Sequence, residues 1–333
     1  MSRTIHLELG INGAFITRRW EKPENHMRLT AETGYKVHEY CADVLDPFFM
    51  GPMDFLLEYA AETKKYAEQY GVTICDNYTG MATHRFHSFG HTRPEPGERM
   101  KQWLLDCFDV SLAMGTKAWG GHVDAIPVEV IEDPDPAVYE ARVQHLVEKW
   151  REMAVLAAGK GMDYISVEQM YIPSEVPWNL KQQMEFLIAT NKDRQGCPVY
   201  TTVDVGHAAT MHYGLELPDS DYREWLRRYA PWSPTIHIQQ TTPEASHHWP
   251  FTSDYNEVGH ISMDEVLANI TAAHREAADS PIAAVLPPVD THYLILELIP
   301  GSTKTEARLL DEMKASARYL RRYIPEEGLD ITV

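Results

Sequence analysis

Four side chains, far apart in the chain, have the types and the setting to hold a metal ion. Glu168 follows the run Tyr-Ile-Ser-Val, Asp204 follows Val-Tyr-Thr-Thr-Val, His237 sits in Pro-Thr-Ile-His-Ile, and Glu297 sits in Tyr-Leu-Ile-Leu-Glu-Leu. A charged group at the end of a buried strand is costly unless something compensates it. Three carboxylates converging on one mouth repel each other; a divalent cation resolves that, and an imidazole completes its shell. A mixed oxygen and nitrogen donor set suits one divalent ion, Mn²⁺ first with Mg²⁺ or Co²⁺ as alternatives, better than structural zinc, which prefers thiolates. One strand-end glutamate is as often structural as functional. Four such groups on four consecutive strands carry the reading.

Other residues are candidates to surround that ion. His207 follows Asp204 in Asp-Val-Gly-His and either orients a ligand or touches substrate. His122 ends a strand in Trp-Gly-Gly-His, where two glycines would let a substrate approach the backbone. His247, His248 and Trp249 fall in a loop that is either a lid with an aromatic wall for a sugar face or an exposed subunit contact. His84, Arg85, His87, His91 and Arg93 form the basic concentration nearest the expected mouth, fit for a phosphate or carboxylate or simply for the surface.

The elements that must position these groups alternate from end to end. Short apolar runs at Ile5–Leu9, Lys36–Tyr40, Val72–Cys75, Thr116–Trp119, Tyr164–Val167, Val199–Val203, Thr235–Ile238 and Leu294–Leu298 read as strands buried on both faces. Helical patterns lie near Pro23–Thr33, Pro52–Tyr70, Pro96–Met114, Pro134–Ala158, Asn179–Asp193, Ser220–Tyr229, Ser262–Ala278 and Thr303–Tyr323. Gly71, Gly115 and Gly159 or Gly161 stand where helices should stop. Strict alternation predicts an α/β fold, a single (β/α)8 TIM barrel over residues 1–333. No G-x-G-x-x-G follows the first strand, which argues against an open dinucleotide-binding sheet. The long segments Asn77–Glu95, Gly120–Asp133 and Gln239–His260 all follow strands, on the face where barrels keep their sites.

Composition narrows the function classes. With 30 Lys+Arg against 49 Asp+Glu, the formal charge of −19 disfavours nucleic acid as a partner. Cys41, Cys75, Cys107 and Cys197 form no C-x-x-C pair and read as reduced, mostly buried thiols, which fits the cytoplasm. No basic segment followed by an apolar run opens the chain, so no signal peptide is expected, and no run is long enough for a membrane span.

These residues resemble the xylose-isomerase-like barrels of the sugar phosphate isomerase/epimerase group, which includes D-tagatose 3-epimerase. In that pattern strand five ends in Glu, strand six carries Asp and then His three residues on, strand seven carries His, and strand eight carries Glu. Glu168, Asp204 with His207, His237 and Glu297 fill those places. Glu168–Pro177 (EQMYIPSEVP), His237–Gln240 (HIQQ) and His248–Asn256 (HWPFTSDYN) resemble most closely the branch containing erythrulose-1-phosphate 3-epimerase and 3-oxo-isoapionate decarboxylase.

The resemblance implies a metal-dependent epimerase or isomerase of a small keto-sugar or its phosphate, with Glu168 and Glu297 exchanging a carbon-bound proton through an enediolate. It implies substrate contacts from His207, His122, His248, Trp249 and Gln239, and a homo-oligomer. The same site could serve a lyase: a decarboxylase of a β-keto sugar acid or an eliminase of a 3-keto-glycoside. An endonuclease IV-like repair enzyme needs more metals and a basic face, and a sugar-binding protein would not need four strand-end ligands. Ser174 and Gln239 stand where the branch carries Arg and Lys, which raises the case for an uncharged sugar.

Overall fold

Parallel strands follow one another around a closed ring in the computed structural model, which describes residues 3–18, 20–80 and 89–333. The ring strands are β1 (Thr4–Asn12), β2 (Val37–Cys41), β3 (Thr73–Tyr78), β4 (Ala118–Gly121), β5 (Tyr164–Glu168), β6 (Val199–Asp204) and β7 (Thr235–Ile238). A hairpin of β8 (Gln240–Thr242) and β9 (Ala245–Trp249) comes next, and β10 (Thr291–Leu296) closes the ring by pairing with both β7 and β1. A short β11 (Leu329–Thr332) adds antiparallel to β1. This is the expected (β/α)8 barrel. Among the described residues, the strands the sequence pattern did not predict are β8, β9 and β11.

The helices on the outside are α1 (Pro23–Glu32), α2 (Met53–Tyr70), α3 (Pro94–Met114), α4 (Val128–Ile131), α5 (Pro136–Lys160), α6 (Leu180–Asn191), α7 (Tyr222–Tyr229), α8 (Ser253–Val258), α9 (Met263–Glu276) and α10 (Glu306–Leu320). Proline opens α1, α3 and α5, where a missing N–H costs nothing. Gly71, Gly115 and Gly161 end α2, α3 and α5 in the left-handed conformation, so Gly161 rather than Gly159 is the stop. None of the described helices is long and apolar enough to cross a membrane.

Strand ends moved by up to three residues from the sequence pattern, and β7 matches it at both ends. β4 begins at Ala118 rather than Thr116, because the Thr116 hydroxyl donates to the Cys75 carbonyl and receives the Ala118 N–H. β10 ends at Leu296, yet the Glu297 N–H still donates to the Ile238 carbonyl at 3.1 Å, so Glu297 keeps a strand-like position.

Apolar residues fill two layers. Outside the ring, strands and helices enclose Trp103, Trp119 and Trp150, all fully buried. Inside it, Val37, Cys75 and Ile295 pack together with Tyr293. The polar residues begin above this plug, at the carboxyl ends of the strands. All four cysteines are buried.

Candidate metal centre

Parallel register sets the site. Asp204 lies opposite His237 across β6 and β7, and Glu168 opposite Thr202 across β5 and β6. Residues in register on adjacent barrel strands project into the same layer of the lumen. Glu168, Asp204, His237 and Glu297 each offer one ligand atom, all within 4.8 Å of one another. Nδ1 of His237 lies 3.1 Å from Glu168 Oε1, 3.4 Å from Glu297 Oε2 and 4.0 Å from Asp204 Oδ2. Donor atoms this close can share one ion at ordinary ligand lengths of about 2.0–2.2 Å. Asp204 and His237 are sealed, whereas the Glu168, Glu297 and His248 side chains keep 8, 12 and 15% of their surface. The group therefore opens to solvent on that side.

Amides hold Asp204 in place. Gln239 Nε2 donates to both carboxylate oxygens at 3.0 Å, and the Gly206 N–H donates to Oδ1 at 2.6 Å. The Asp204 N–H itself donates to Gln169 Oε1 at 3.1 Å. Gly206 is required here: a Cβ on it would lie 2.2 Å from Gln239 Cδ. The other end of the Gln239 amide accepts the His248 N–H at 2.6 Å and the Ser246 hydroxyl at 3.2 Å. One amide thus ties a candidate ligand on β6 to the β8–β9 hairpin. His248 adopts a positive φ of 53° on that hairpin, and its Nε2 lies 3.2 Å from Glu297 Oε2. His207 Nδ1 donates to the Gln169 carbonyl at 2.8 Å, which turns Nε2 toward Asp204 at 3.4 Å. Asp204, His207, His248 and Glu297 form a second, overlapping group of the same ligand spacing.

Beneath His237 lies a buried carboxylate. Glu39 on β2 is fully buried, and both its oxygens are 3.0 Å from His237 Nε2. Asn12 Nδ2 donates to Glu39 Oε1 at 2.5 Å while Asn12 Oδ1 accepts the Ala14 N–H. Next to it on β3, buried Asp76 accepts the Thr235 hydroxyl at 2.8 Å.

The electrostatics are those of a site that wants positive charge. Burial pushes Asp204 up to about 6, against the pull of His207. Burial also raises Glu39 and Asp76, and the attraction of His237 only partly offsets this for Glu39. Burial would push His237 down, but Glu39 and Glu297 more than compensate and hold the imidazole well above its ordinary range. His248 rises for the same reason, chiefly through Glu297. Glu297, although buried, falls well below the usual carboxylate range because His237 and then His248 face it. Among the described residues, the cationic partners of these carboxylates are all imidazoles. Without a bound ion, protons collected on imidazole supply the compensation; a divalent ion supplies it more fully.

The remaining expected residues are placed variously. His122 is buried, with Nε2 3.7 Å from Asp124 Oδ2, in a pair just beyond β4 that also takes the Trp150 indole N–H. Its two glycines have close neighbours: a Cβ on Gly120 would meet the Tyr78 ring at 2.3 Å, and one on Gly121 the Thr79 hydroxyl at 2.1 Å. Trp249 stacks on His247 with centroids 4.0 Å apart and leans on Tyr255 at 5.0 Å, building the hairpin. Arg93 pairs with Glu95 at the surface, and the His91 carbonyl accepts Arg142. His84, Arg85 and His87 lie outside the described residues. The sequence reading missed Glu39, Asp76, Asn12 and Gln169. Glu39 and Asp76 carried the signal already used for the others, a charge in or beside an apolar strand, but on strands two and three.

Residues 27–274 match the Xylose isomerase-like TIM barrel family, so the chain belongs to it. Its relatives named as sugar epimerases and isomerases mark it as an enzyme of that kind. The chain is 25% identical over 254 residues to D-erythrulose 1-phosphate 3-epimerase of Brucella abortus (strain 2308), covering 76% of this chain and 80% of that one. A putative xylose isomerase from Rhodospirillum rubrum ATCC 11170 superposes with TM-score 0.78 at 23% identity, over 96% of this chain and 100% of the other. D-psicose 3-epimerase from Clostridium cellulolyticum H10, in a structure with D-tagatose, superposes with TM-score 0.64 at 16% identity, over 95 and 98%.

Proposed function

We propose that the chain is a divalent-metal-dependent epimerase or isomerase of a small keto-sugar, acting through an enediolate. The observation that carries this reading is the convergence of Glu168, Asp204, His237 and Glu297, with ligand atoms within 4.8 Å of each other at a solvent-accessible barrel mouth. Mn²⁺, Mg²⁺ or Co²⁺ held by this oxygen-rich set would polarise a ketone oxygen and its neighbouring hydroxyl, which stabilises an enediolate.

The side chains do the proton work. Glu168 at the end of β5 and Glu297 beyond β10 come to His237 from different strands, at 3.1 and 3.4 Å. Each carboxylate has one oxygen for the ion and one for a carbon-bound proton. If one removes the proton and the other returns it on the opposite face, a stereocentre inverts. Return to the neighbouring carbon gives aldose–ketose isomerisation. His207 Nε2 and His248, beside Asp204 and Glu297, are then the groups to receive substrate hydroxyls. Gln239, bound up with Asp204 and His248, positions them and is reassigned from substrate contact.

An uncharged sugar suits this mouth better than a phosphorylated one. Gln239 is neutral and occupied, and Ser174 brings no charge; its carbonyl accepts the Ile126 N–H. We read the enzyme as cytoplasmic, consistent with four buried cysteines that form no C-x-x-C pair, and as homo-oligomeric, with exposed Phe49 and Met50 after β2 and Leu217 after β6 as mouth-side apolar surface. Incubation of the Mn²⁺-loaded enzyme with a tetrulose or other small ketose in D₂O tests the reaction. Deuterium should enter at the carbon beside the ketone. Unlabelled sugar across such a panel counts against epimerisation, and CO₂ release from a β-keto sugar acid would decide for a lyase.

A further inference from the structure

We infer that Glu39 is a positioning residue of the metal centre: its carboxylate takes the Nε2 proton of His237 and thereby presents Nδ1 to the ion. The inference rests on the metal reading above and adds a residue to it.

The geometry has three parts. His237 Nε2 is 3.0 Å from both Glu39 oxygens, on the side of the ring away from the other ligands. Its Nδ1 faces Glu168, Glu297 and Asp204. An imidazole bridging a carboxylate and a cation needs this arrangement, because the proton on one nitrogen fixes the lone pair on the other.

Glu39 is itself held rather than adaptable. It is fully buried, Asn12 donates to Oε1 at 2.5 Å, and the Asn12 amide is in turn oriented by the Ala14 N–H. The β2–β3 register shifts between His38 and Glu39. A register shift beside a site is a common means of aiming one side chain. A buried carboxylate whose role was only structural would need a donor, and Asn12 already provides one. The bidentate approach to His237 is what remains to be explained.

Two measurements on the full-length chain test this. The first needs no variant: ¹⁵N NMR of the imidazoles in the Zn²⁺-loaded protein. His237 should carry its proton on Nε2 and none on Nδ1; a proton on Nδ1 overturns the assignment. The second is Mn²⁺ titration of metal-stripped wild type, Glu39→Gln and Glu39→Ala. Loss of such an outer partner weakens metal binding by about 10–100-fold. Glu39→Ala should show the larger loss and Glu39→Gln, which keeps an acceptor, the smaller. At saturating Mn²⁺, kcat and the KM for sugar should return to near wild type. Folded variants with wild-type Mn²⁺ affinity overturn the proposal, as does a fall in kcat that excess metal does not restore. A wild type that binds neither ion fails the metal reading and takes this assignment with it. A wild type that binds while His237 is protonated on Nδ1 fails this assignment alone.

Discussion

Replacing Gly206 by alanine should damage the site from a position that touches no substrate. The new Cβ would sit 2.2 Å from Gln239 Cδ and 2.4 Å from its Nε2. Carbon contacts begin near about 3.5 Å, so the amide must retreat by roughly 1.3 Å. Its hydrogen bonds to Asp204, at 3.0 Å, and from the His248 N–H, at 2.6 Å, cannot survive that movement. A hydrogen bond to a charged group is worth about 1.5–3 kcal/mol and a neutral one about 1, so Gly206→Ala should destabilise by roughly 3 kcal/mol. For a chain of this length that lowers Tm by about 4 °C. Gln239→Ala removes the same bonds and should cost a similar amount. The double variant is the informative one. With the Gln239 amide gone, the alanine at 206 has room, and the second substitution should add less than about 1 kcal/mol. Urea melts of the four proteins close the cycle. If the two single costs simply add, the amide is not what Gly206 accommodates, and the link from β6 to the hairpin is wrong.

Glu168→Gln and Glu297→Gln should each lose turnover by at least the roughly 10²–10⁴-fold typical of a removed acid–base group, with His207→Ala affected less; a near-normal rate of deuterium entry in either Gln variant would refute the two-base assignment. Removing divalent ions with a chelator should abolish activity, and restoring Mn²⁺ to about 100 times its Kd should stabilise the fold by about 2.7 kcal/mol; an unchanged melting curve contradicts a specific site. His292 is held neutral by burial, its pKa lowered to about 4, with Nδ1 donating to the Ser233 carbonyl and Nε2 2.7 Å from His274 Nε2. The unfolded chain takes up a proton near pH 6.5 that the folded one refuses, so this contribution is intact above that pH and drains away toward pH 4. It amounts to about 2 kcal/mol between pH 7 and pH 5. Urea melts at the two pH values should show that slope flattened in His292→Asn, whose amide can still donate to Ser233; an unchanged slope assigns the acid sensitivity elsewhere.

The barrel and its candidate ligands were legible for one physical reason. Strands buried on both faces are apolar throughout, so a Glu or Asp at the end of such a run stands out, and helix-stopping glycines mark the period between them. Glu168, Asp204, His237 and Glu297 were found this way, and they do converge. The hairpin was not legible. β8 and β9 are short and partly polar, and what fixes them is the Gln239 amide and the positive φ at His248, neither visible as periodicity. Nor was it legible that Gly120 and Gly121 accommodate Tyr78 and Thr79, neighbours at the end of β3.

Glu39 is the instructive case, since it met the same criterion as the candidate ligands and still went unread. Its run, Val-His-Glu-Tyr-Cys, sets two polar residues side by side, so no uninterrupted apolar stretch leads up to the carboxylate. Here every residue of the strand is buried, and both polar members are absorbed by neighbours: His38 by the Thr30 hydroxyl and Glu39 by Asn12 and His237. The carboxylate is therefore unusual by its partners and not by its pattern, and a partner 198 residues away belongs to the fold alone. A buried anion in a barrel this acidic persists only where something cationic or proton-bearing meets it. In this molecule that something is His237, which also faces the three carboxylates of the mouth. The carboxylate on β2 and the candidate ligand on β7 therefore form a single electrostatic unit, and neither can be changed without altering the other.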